Sequence, residues 1–508
     1  MKILTPQKPS PQKKSPNESP ANLSKPFGAA SSRPTTPTFH SSPNFSLIST
    51  PELTTIELDE GQQRAIDIMI GGASVFLTGM AGTGKSATLC RFIMKSHTSI
   101  DVTATTGIAA LNVQDQYRKS TGLGLPAYTI YRWAGIALGP KEKQPFEEYI
   151  EFMESRGSKS FERAKQRIRR CQILVIDEIS MIPGRILDFL DHYFKYVRGN
   201  ELPFGGIQMV FVGDFLQLPP VSKTGRYDWA FKCSSWNALK PLPIYLKEIH
   251  RQDEPEFIEA LNSFRMGSIP QKVADILAAR VSMFTHRNVI RLFTHNSQVD
   301  RWNTIMIDAL ETEPQTFTAK YTGYDSDREW FIKNSITPEV LILKVGARVM
   351  VTTNISDGGG GVLAVNGQMG TVEALEAEAP VRIWVDKDDE ENETGESGWQ
   401  FKTILAPSVK LDNGEILPVV PFQWTMDPQD EFSPTMTQLP LRPAYAISIH
   451  KSQGLTLPSA HIDIRAAREP GQAYVALSRL KSLSGLHLKD WVKGVHVSND
   501  AINFYKDL

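Results

Sequence analysis

The sequence of 508 residues contains little cysteine and no long apolar segment. Its cysteines, Cys90, Cys171 and Cys233, are scattered and lack the spacing of metal ligands. This excludes a disulfide framework and a zinc site, and it predicts a reducing compartment. No apolar run approaches the ~20 residues that span a bilayer, and the N-terminus lacks the apolar core of a signal peptide. With 41% hydrophobic and 22% charged residues, we expect an ordinary globular protein of roughly three domains that is not inserted in a membrane.

A net positive charge is also missing, since the formal net charge is −1. That value is not typical of a nucleic-acid-binding protein, but the charge is uneven. Residues 1–51 carry an excess of lysine and arginine, whereas the stretch DKDDEENETGE at 386–396 is strongly acidic. The remainder is close to neutral. A groove for a polyanion must therefore be a local arrangement of donors rather than a basic face.

The first 52 residues are rich in Pro, Ser, Thr and Lys and predict a disordered N-terminal tail, 1–52. Repeated Ser-Pro and Thr-Pro pairs are sites that proline-directed kinases recognise, and phosphates there would reverse the charge of the tail. A tail that is merely solvated is the alternative. Little arginine and no amphipathic periodicity disfavour a mitochondrial presequence.

From residue 58 onward, short apolar runs alternate with helical segments, which is typical of doubly wound α/β sheets with parallel strands. The first series has runs at 75–77, 102–104, 173–176 and 209–212, with helix-like stretches at 86–95 and 186–197. The second has runs at 289–294, 444–449, 461–464 and 486–488, with a helix-like stretch at 471–480. Two similar α/β units are therefore predicted.

The sequence pattern of residues 319–438 differs from that of the two α/β units. Runs such as VGARVMVTTN, VRIWVD and ILPVVPFQW alternate with Gly, Asn-Gly and Asp turns. We expect a small all-β, barrel-like insertion in the second α/β unit, with the acidic stretch 386–396 as a solvated tip.

A phosphate-binding loop is predicted at 79–86, where GMAGTGKS follows the apolar stretch SVFL and precedes a helix. Its glycines allow backbone N–H groups to face phosphates, and the helix N-terminus adds positive potential. We expect Lys85 to contact the β- and γ-phosphates of ATP and the Ser86 hydroxyl to bind Mg²⁺. The residues assigned to the nucleotide here are Gly79, Met80, Ala81, Gly82, Thr83, Gly84, Lys85, Ser86 and Ala87.

Adjacent carboxylates end another predicted strand, in ILVIDEISM at 173–181. Asp177 at the strand end is the expected partner of the metal ion, and Glu178 is placed to take a proton from an attacking water. The alternative is that both acids only terminate a buried strand in solvent. Together with the phosphate loop, the pair favours hydrolysis over storage of a nucleotide.

Several stretches stand in a characteristic order and spacing. They are LDEGQQ, LTGMAGTGKS, TATTGIAA, TIYRWAGIALG, VIDEISM, PFGGIQMVFVGDFLQLPP, the HRQ of 250–252, AISIHKSQGLTLP and GQAYVALSR. In these stretches the sequence resembles the Pif-type DNA helicases of superfamily 1B, which are related to RecD. The resemblance covers nearly everything from residue 58 onward.

The resemblance implies two RecA-like domains that bind ATP between them and single-stranded DNA across their tops. The expected boundaries are 53–240 for domain 1, 241–318 and 439–508 for the two parts of domain 2, and 319–438 for the insertion. A strand-separating wedge is expected within 112–165.

The same resemblance assigns residues to ATP. Gln62 would read the adenine, although Gln63 leaves the register open by one residue, and Gln217 would sense the γ-phosphate. Arg251 and Arg479 would reach the cleft as arginine fingers, because a permanent planar cation suits a transferring phosphoryl group. Gln453 and Gly454 would also face the nucleotide.

Further residues are expected on DNA, mostly on its phosphates. They are Thr105, Thr106, Gly107, Tyr131, Asp214, His450, Lys451 and Ser452. Tyr131 departs from the family, which usually has histidine there. A tyrosine can still stack on a base or bond a phosphate, so contact geometry and preferred substrate are the properties that this departure puts in doubt.

The expected activity is ATP-dependent movement on single-stranded DNA, 5′ to 3′ by resemblance, with unwinding of duplex or structured DNA in genome maintenance. Forked DNA is an expected partner, quadruplex DNA is a family association, and the protein is expected to act as a monomer. Two alternatives stay open: a translocase that strips bound proteins and unwinds weakly, and a nucleotide-switched DNA-binding module. The nucleus is the expected location, with the mitochondrion as the alternative.

Overall fold

The computed structural model describes residues 40–41, 58–121, 128–155, 159–222, 224–281, 289–356, 362–364, 366–385, 398–426, 433–491 and 494–508. Apart from the short strand His40–Ser41, which pairs with residues 381–382, the predicted tail lies outside these ranges. The acidic stretch 386–396 lies outside them as well. Within the described ranges, no helix combines the length and the apolar character that a bilayer crossing requires.

A parallel sheet forms the centre of what we call the first lobe. Its strands, in spatial order, are Tyr128–Thr129, Ile100–Ala104, Ile173–Asp177, Gln208–Val212, Val75–Gly79 and Leu242–Leu246. Every pairing is parallel, so the carboxyl ends of neighbouring strands meet at one edge. In open α/β sheets this is the edge where ligands bind.

Helices cover both faces of the first sheet. They are Glu60–Ile70, Lys85–Lys95, Gly107–Thr121, Ile130–Trp133, Phe146–Ser155, Lys159–Arg170, Gly184–Arg198 and Ser234–Leu239, with short turns at Ile179–Met181, Pro203–Gly206 and Ala230–Lys232. Much of the predicted wedge segment 112–165 is built into the lobe, because Ile130, Trp133 and Met153 belong to its core.

The second lobe surrounds a smaller parallel sheet. Its strands, in spatial order, are Ala446–Ser448, Ile290–Phe293, Ala460–Ile462 and Leu486–Leu488. Its helices are Pro255–Met266, Gln271–Ala278, Asn296–Asp308 and Gln472–Leu477, with turns at Ile464–Ala466 and Leu483–Gly485. The two predicted α/β units are thus confirmed.

The predicted β-rich insertion is present between the two parts of the second lobe. Its strands are Gln315–Thr318, Lys320–Tyr321, Val340–Leu343, Arg348–Val351, Ile355–Ser356, Val362–Ala364, Met369–Val385, Gly398–Leu411, Ile416–Pro418, Phe422–Thr425, Thr435–Gln438 and Leu441–Pro443. It differs from the all-β prediction by one helix, Asp325–Asn334, whose acidic first turn and Lys333 in the last turn suit the helix dipole. Among the described residues, no pairing joins the two edges of its main sheet.

Several boundaries also differ from the prediction, since the insertion includes the strands Gln315–Thr318 and Leu441–Pro443 on either side of 319–438. Two further segments belong to the first lobe. Leu242–Leu246 pairs with Val75–Gly79 in the first sheet, so that lobe continues beyond residue 240. The final helix, Asn499–Lys506, packs its Phe504 against the core of the first lobe and not the second. Both segments are short and partly exposed, and their apolar residues do not reveal in the sequence which sheet they contact.

Candidate active site between the two lobes

The phosphate-binding loop connects the strand Val75–Gly79 to the helix Lys85–Lys95. Gly84 is the N-cap of this helix with φ of 77°, and a Cβ there would meet the Nε2 atom of Gln62. Only glycine therefore allows both the left-handed backbone and the close approach. The Ala81 N–H donates to the Tyr474 hydroxyl at 2.8 Å, and the loop ends at the helix N-terminus, which is the environment that phosphate prefers.

Lys85 packs against the loop that carries it. Its Nζ donates to the carbonyls of Gly79 at 2.8 Å and Met80 at 2.9 Å. Burial lowers the pKa of Lys85, and the carboxylates of Asp214 and Glu178 oppose that effect. The ammonium group thus lies beside the loop, next to the position that a bound phosphate would take.

Asp177 and Glu178 lie at the carboxyl end of the strand Ile173–Asp177, as the sequence predicted. Burial, together with the Glu178 carboxylate, raises the pKa of Asp177 to about 7. Burial also raises the pKa of Glu178, while Lys85 and Arg479 act in the opposite direction. Two desolvated carboxylates of this kind are suited to a metal ion and to proton transfer.

Arg479 approaches the same cleft from the second lobe, whereas Arg251 lies beside Gly82 of the phosphate loop. Burial lowers the pKa of Arg479 to about 9, with Arg251 adding to the effect and Glu178 opposing it. Its Nε donates to the carbonyl of Val475 at 2.9 Å and its Nη2 to Ser478 Oγ at 2.8 Å. The buried guanidinium of Arg479 therefore interacts with the Glu178 carboxylate across the interface of the lobes.

A single cavity unites most of these groups. Its walls include Ser86, Asp177, Glu178, Arg251, Gln453 and Gly454. This cavity therefore brings together both predicted ligands of the metal ion, Ser86 and Asp177, and the predicted general base. One arginine finger and the two residues assigned to the nucleotide in the second lobe line it as well. Among the described residues, no group of three or more His, Cys, Asp or Glu side chains could hold a metal ion by itself.

The structure places Gln62, rather than Gln63, against the phosphate loop. The Gln62 side chain reaches the carbonyl of Thr83 at 3.4 Å and the Nε2 atom of His250 at 3.3 Å. Gln63 is instead on the outer face of its helix, where it bonds Asp67 at 2.7 Å. His250 also contacts Asp59 Oδ2 at 3.0 Å, and sequence reasoning did not single it out.

Gln217 is buried at the lobe interface, in the turn that follows the strand Gln208–Val212. Its backbone N–H donates to the carbonyl of Asp214 at 2.9 Å. A Cβ on Gly471, the residue before the helix Gln472–Leu477, would collide with the Gln217 carbonyl. The turn with Gln217 therefore abuts the segment that leads to Arg479.

Asp214 does not face a DNA-accessible surface, which corrects the sequence-based assignment. It is fully buried, and both of its carboxylate oxygens accept from the guanidinium of Arg265. The sequence could not reveal this, because Arg265 lies in another lobe and carries no motif of its own.

Three other residues assigned to DNA follow the strand Ile100–Ala104. Thr106 lines the cleft cavity, and its Oγ1 accepts from the backbone N–H of Ala109. The Thr105 hydroxyl is nearly buried and donates to the Glu178 carbonyl at 3.1 Å. Gly107 lies against Asn334 of the insertion, and a Cβ there would clash with that side chain. Thr106 is therefore the member of this group whose position suits an external ligand.

The stretch 450–452 also contains both buried residues and residues that an external ligand could contact. The Ser452 hydroxyl is fully buried and donates to the Ile449 carbonyl, so it is not available to DNA phosphates. This corrects the assignment of Ser452. Lys451 is half-buried with its Nζ on the Ser335 carbonyl at 3.3 Å, and burial lowers its pKa to about 8. His450 lines the cleft cavity and contacts Glu469 at 3.4 Å.

Tyr131 lies half-buried in the short helix Ile130–Trp133, where burial raises its pKa to about 12. The neighbouring Arg132 pairs with Asp327 of the insertion at 3.0 Å and lies over the Trp330 ring. The position that departs from the family is thus next to a contact between the first lobe and the insertion.

A second cavity, which the sequence did not predict, lies between the helix Gly107–Thr121 and the insertion. Its walls combine amide and hydroxyl groups with aromatic rings, including Asn112, Thr353, Phe422 and Trp424. Asn112 also lines the cleft and donates to the Gln453 carbonyl at 3.3 Å. The two cavities are therefore adjacent.

Together, the fold and the site define a P-loop nucleoside triphosphatase built from two lobes with parallel sheets. Residues 57–275 match the family model described as PIF1-like helicase. An ATP-dependent DNA helicase PIF1 from Emericella nidulans is 32% identical over 86% of this chain and 61% of its own length. An ATP-dependent DNA helicase Pif1 from Bdellovibrio bacteriovorus is 31% identical over 89% of this chain and 92% of its own. The chain belongs to the PIF1-like helicase family.

Solved structures agree with this assignment. The crystal structure of the Pif1 helicase from Candida albicans is 32% identical with a TM-score of 0.66, covering 89% of this chain and 100% of that one. A Bacteroides Pif1 helicase in complex with ADP-AlF3 and ssDNA is 28% identical with a TM-score of 0.58, covering 89% of this chain and 97% of the other. The RecA-like character that the sequence resemblance implied is thereby confirmed.

Proposed function

We propose that this chain hydrolyses ATP in the cleft between its lobes and uses the energy to move along single-stranded DNA and separate DNA strands. The observation that carries the proposal is the meeting of groups from both lobes in one cleft. Lys85, Asp177 and Glu178 come from the first lobe, and Arg479 comes from the second. A triphosphate there would be held by both, so its cleavage changes how the lobes are joined.

ATP fits the cleft by the chemistry of its walls. The glycines of the phosphate loop leave space that side chains would fill, and Gln62 beside Thr83 suits the adenine. Ser86 and Asp177 share one cavity, so a hydroxyl and a single carboxylate would hold Mg²⁺, which takes most of its remaining ligands from phosphates and water. When bound, this ion neutralises developing phosphate charge.

Hydrolysis is assigned to residues already in place. Glu178 would accept the proton of the attacking water, and its raised pKa makes the carboxylate a stronger base. Arg479 and Arg251 would stabilise the charge of the transferring phosphoryl group. Gln217, whose backbone contacts the second lobe at Gly471, would connect the state of the phosphate to the position of that lobe.

Single-stranded DNA is the substrate that suits the second cavity. Trp424 and Phe422 offer ring surface for bases, and Thr353 and Asn112 offer polar groups. Lys451 and Thr106 lie near this side of the cleft and would contact phosphates. The relative from Bacteroides that was solved with ADP-AlF3 and ssDNA supports this choice of ligands.

The test is ATP hydrolysis by the purified chain with and without a single-stranded oligonucleotide. Stimulation of many-fold is expected, whereas a flat, slow rate would favour a nucleotide-switched binding module. Forked duplexes with a 5′ or a 3′ single-stranded tail then give the polarity, which we propose to be 5′ to 3′. A parallel assay that displaces a protein from DNA separates unwinding from mere stripping of bound proteins.

The remaining parts of the proposal follow the family. We place the activity in genome maintenance in the nucleus, with the mitochondrion as the alternative, and we propose a monomer that also acts on quadruplex DNA. Unwinding of a folded G-rich oligonucleotide, light scattering of the purified chain and microscopy of the fluorescent fusion protein test these points one by one.

A further inference from the structure

The ion pair between Arg265 and Asp214 is almost completely buried. The Arg265 Nε and Nη2 atoms lie 3.1 and 3.0 Å from the two oxygens of Asp214, and the side chains are 4% and 0% exposed. Although burial acts to raise the pKa of Asp214, Arg265 holds it below the usual range. Breaking such a pair leaves a buried charge without compensation, so the lobes are joined firmly at this point.

Tyrosine rings surround this pair. The Arg265 guanidinium lies 4.9 Å from the ring centre of Tyr505 and 5.8 Å from that of Tyr245. Burial and the nearby Asp214 raise the pKa of Tyr505 well above its ordinary value, so its hydroxyl stays protonated. A neutral donor thus lies beside a charged pair.

The hydroxyl of Tyr505 reaches two loops of the ATP site. It lies 2.6 Å from Thr78 Oγ1, one residue before Gly79 of the phosphate loop. It also accepts from the backbone N–H of Phe215 at 3.2 Å, two residues before Gln217. One side chain from the last helix of the chain therefore bonds the strand that enters the phosphate loop and the turn that carries the proposed γ-phosphate sensor.

The last helix, Asn499–Lys506, is held in place by its own contacts. Phe504 stacks on Phe231 with ring centres 4.4 Å apart, and Asp500 pairs with Lys232 at 2.7 Å. The position of Tyr505 is thus fixed by packing that does not involve its hydroxyl.

Asp214 continues the chain of contacts to Gln217. Its Oδ1 accepts from the N–H of Leu216 at 3.1 Å, and its carbonyl accepts from the N–H of Gln217. The carbonyls of Leu216 and Gln217 lie against Gly471, at the start of the helix that precedes Arg479. The bonds from Tyr505 and Arg265 therefore converge on the backbone of one turn.

We propose that Tyr505, acting with the Asp214–Arg265 pair, is a positioning residue for ATP hydrolysis. It holds the turn with Gln217 at a fixed distance from the phosphate loop while the rest of the cleft opens and closes. The proposal rests on the proposed ATPase activity and adds to it a residue from the far end of the chain. Tyr505 itself does not touch the nucleotide.

The decisive variant is Tyr505→Phe, which keeps the ring and its packing but removes both hydroxyl bonds. Because the Phe215 N–H then loses its buried partner, the turn shifts and kcat for DNA-stimulated hydrolysis is expected to fall about tenfold. The KM for ATP is expected to stay within about twofold of wild type, because no nucleotide contact is removed. Tyr196→Phe is the control, since it loses an exposed hydroxyl bond to Glu154 in the same lobe.

A purely structural role would give a different result. Tyr505→Phe would then lower the melting temperature but keep the wild-type kcat well below that temperature, and this outcome overturns the proposal. A fall in kcat that only matches a loss of folded protein, measured by circular dichroism, overturns it too.

Variants of Arg265 provide a second measurement. Arg265→Lys retains the charge but loses the two parallel hydrogen bonds of the guanidinium. Its kcat should therefore lie between those of Arg265→Met and wild type. Arg465→Met removes an exposed pair with Asp490 and serves as the matched control. Equal kcat in Arg265→Lys and Arg265→Met, both folded, would contradict the role of the pair.

These results are distinguishable from failure of the proposed function. If the wild-type protein hydrolyses ATP without stimulation by DNA, the proposed coupling to DNA is wrong. The positioning role of Tyr505 is then tested by comparing the basal kcat of Tyr505→Phe with that of wild type. If wild type is strongly stimulated and Tyr505→Phe behaves like wild type, the proposed function stands and the positioning role is wrong.

Discussion

The Nη1 atom of Arg251 donates to the backbone carbonyl of Ser478 at 3.0 Å, one residue before Arg479. This bond ties Arg251 to the backbone beside Arg479, the other arginine that the family resemblance assigned to the cleft. Gln252 adds a bond to the Leu480 carbonyl at 2.8 Å, so the HRQ stretch holds both sides of Arg479. The two cations are therefore one structural unit, although more than two hundred residues separate them in the chain.

Arg479→Lys should lower kcat for ATP hydrolysis by about 10³-fold, because a lysine lacks the planar fork that neutralises a transferring phosphoryl group. Affinity for single-stranded DNA, measured by fluorescence anisotropy, should remain within about twofold, since Arg479 is buried away from the second cavity. Arg468→Lys, in the same lobe, is the control. Normal hydrolysis by Arg479→Lys would assign this residue to structure alone.

Glu178→Gln should reduce hydrolysis by on the order of 10²- to 10⁴-fold while retaining nucleotide binding. The amide has the same shape as the carboxylate but cannot take a proton. The measurement pairs steady-state turnover with binding of a fluorescent ATP analogue. Should turnover persist, another group must activate the water.

Gln62→Glu should weaken the preference for ATP over GTP about tenfold, because the amide donor beside the phosphate loop is lost. Glutamate retains the capping box with Asp59, so the helix itself stays stable. Gln63→Glu is the matched control, since Gln63 lies outside the site. Competition between ATP and GTP in the hydrolysis assay is the readout, and equal effects of both substitutions would refute the assignment of Gln62.

Lys451 predicts a pH dependence of DNA binding. Burial lowers its pKa to about 8, with the nearby Arg442 acting in the same direction. The ammonium is charged below that pH and neutral above it, so affinity for single-stranded DNA should fall as the pH rises from 7 to about 9.

Lys451→Arg should remove this pH dependence, and Lys451→Ala should reduce the salt slope of log K by about 0.7. Lys272→Arg, on an exposed helix of the same lobe, should leave the wild-type profile unchanged. A wild-type affinity that is constant over this pH range would show that Lys451 does not contact phosphate.

The sequence predicted the elements that carry most of the proposed ATP site, because the signals for them are local. The loop 79–86 and the acids at 177–178 each lie where one strand ends, and strand ends are visible in apolar periodicity. It did not predict that Asp214 and Ser452 are buried and hydrogen-bonded within the protein. Their partners are set by packing, with Arg265 approaching Asp214 from another lobe and Ser452 turning back on its own backbone.

The helix Asp325–Asn334 and the second cavity were missed for a related reason. The helix interrupts a β-rich stretch, where alternation dominated the sequence pattern. The walls of the cavity come from chain segments far apart in sequence, Asn112 and Trp424 among them, and nothing in either segment marks them as neighbours.

The path of the chain, which leaves the first lobe after Leu246 and returns to it with Asn499–Lys506, has a mechanical consequence. If a molecule were held at Leu508 in an optical trap, the tension would act directly on the first lobe, which holds the proposed ATP site. The second lobe, inserted between two segments of the first, would lie outside the path of the force. Load applied from that end should therefore slow the catalytic cycle before it unfolds the middle of the chain.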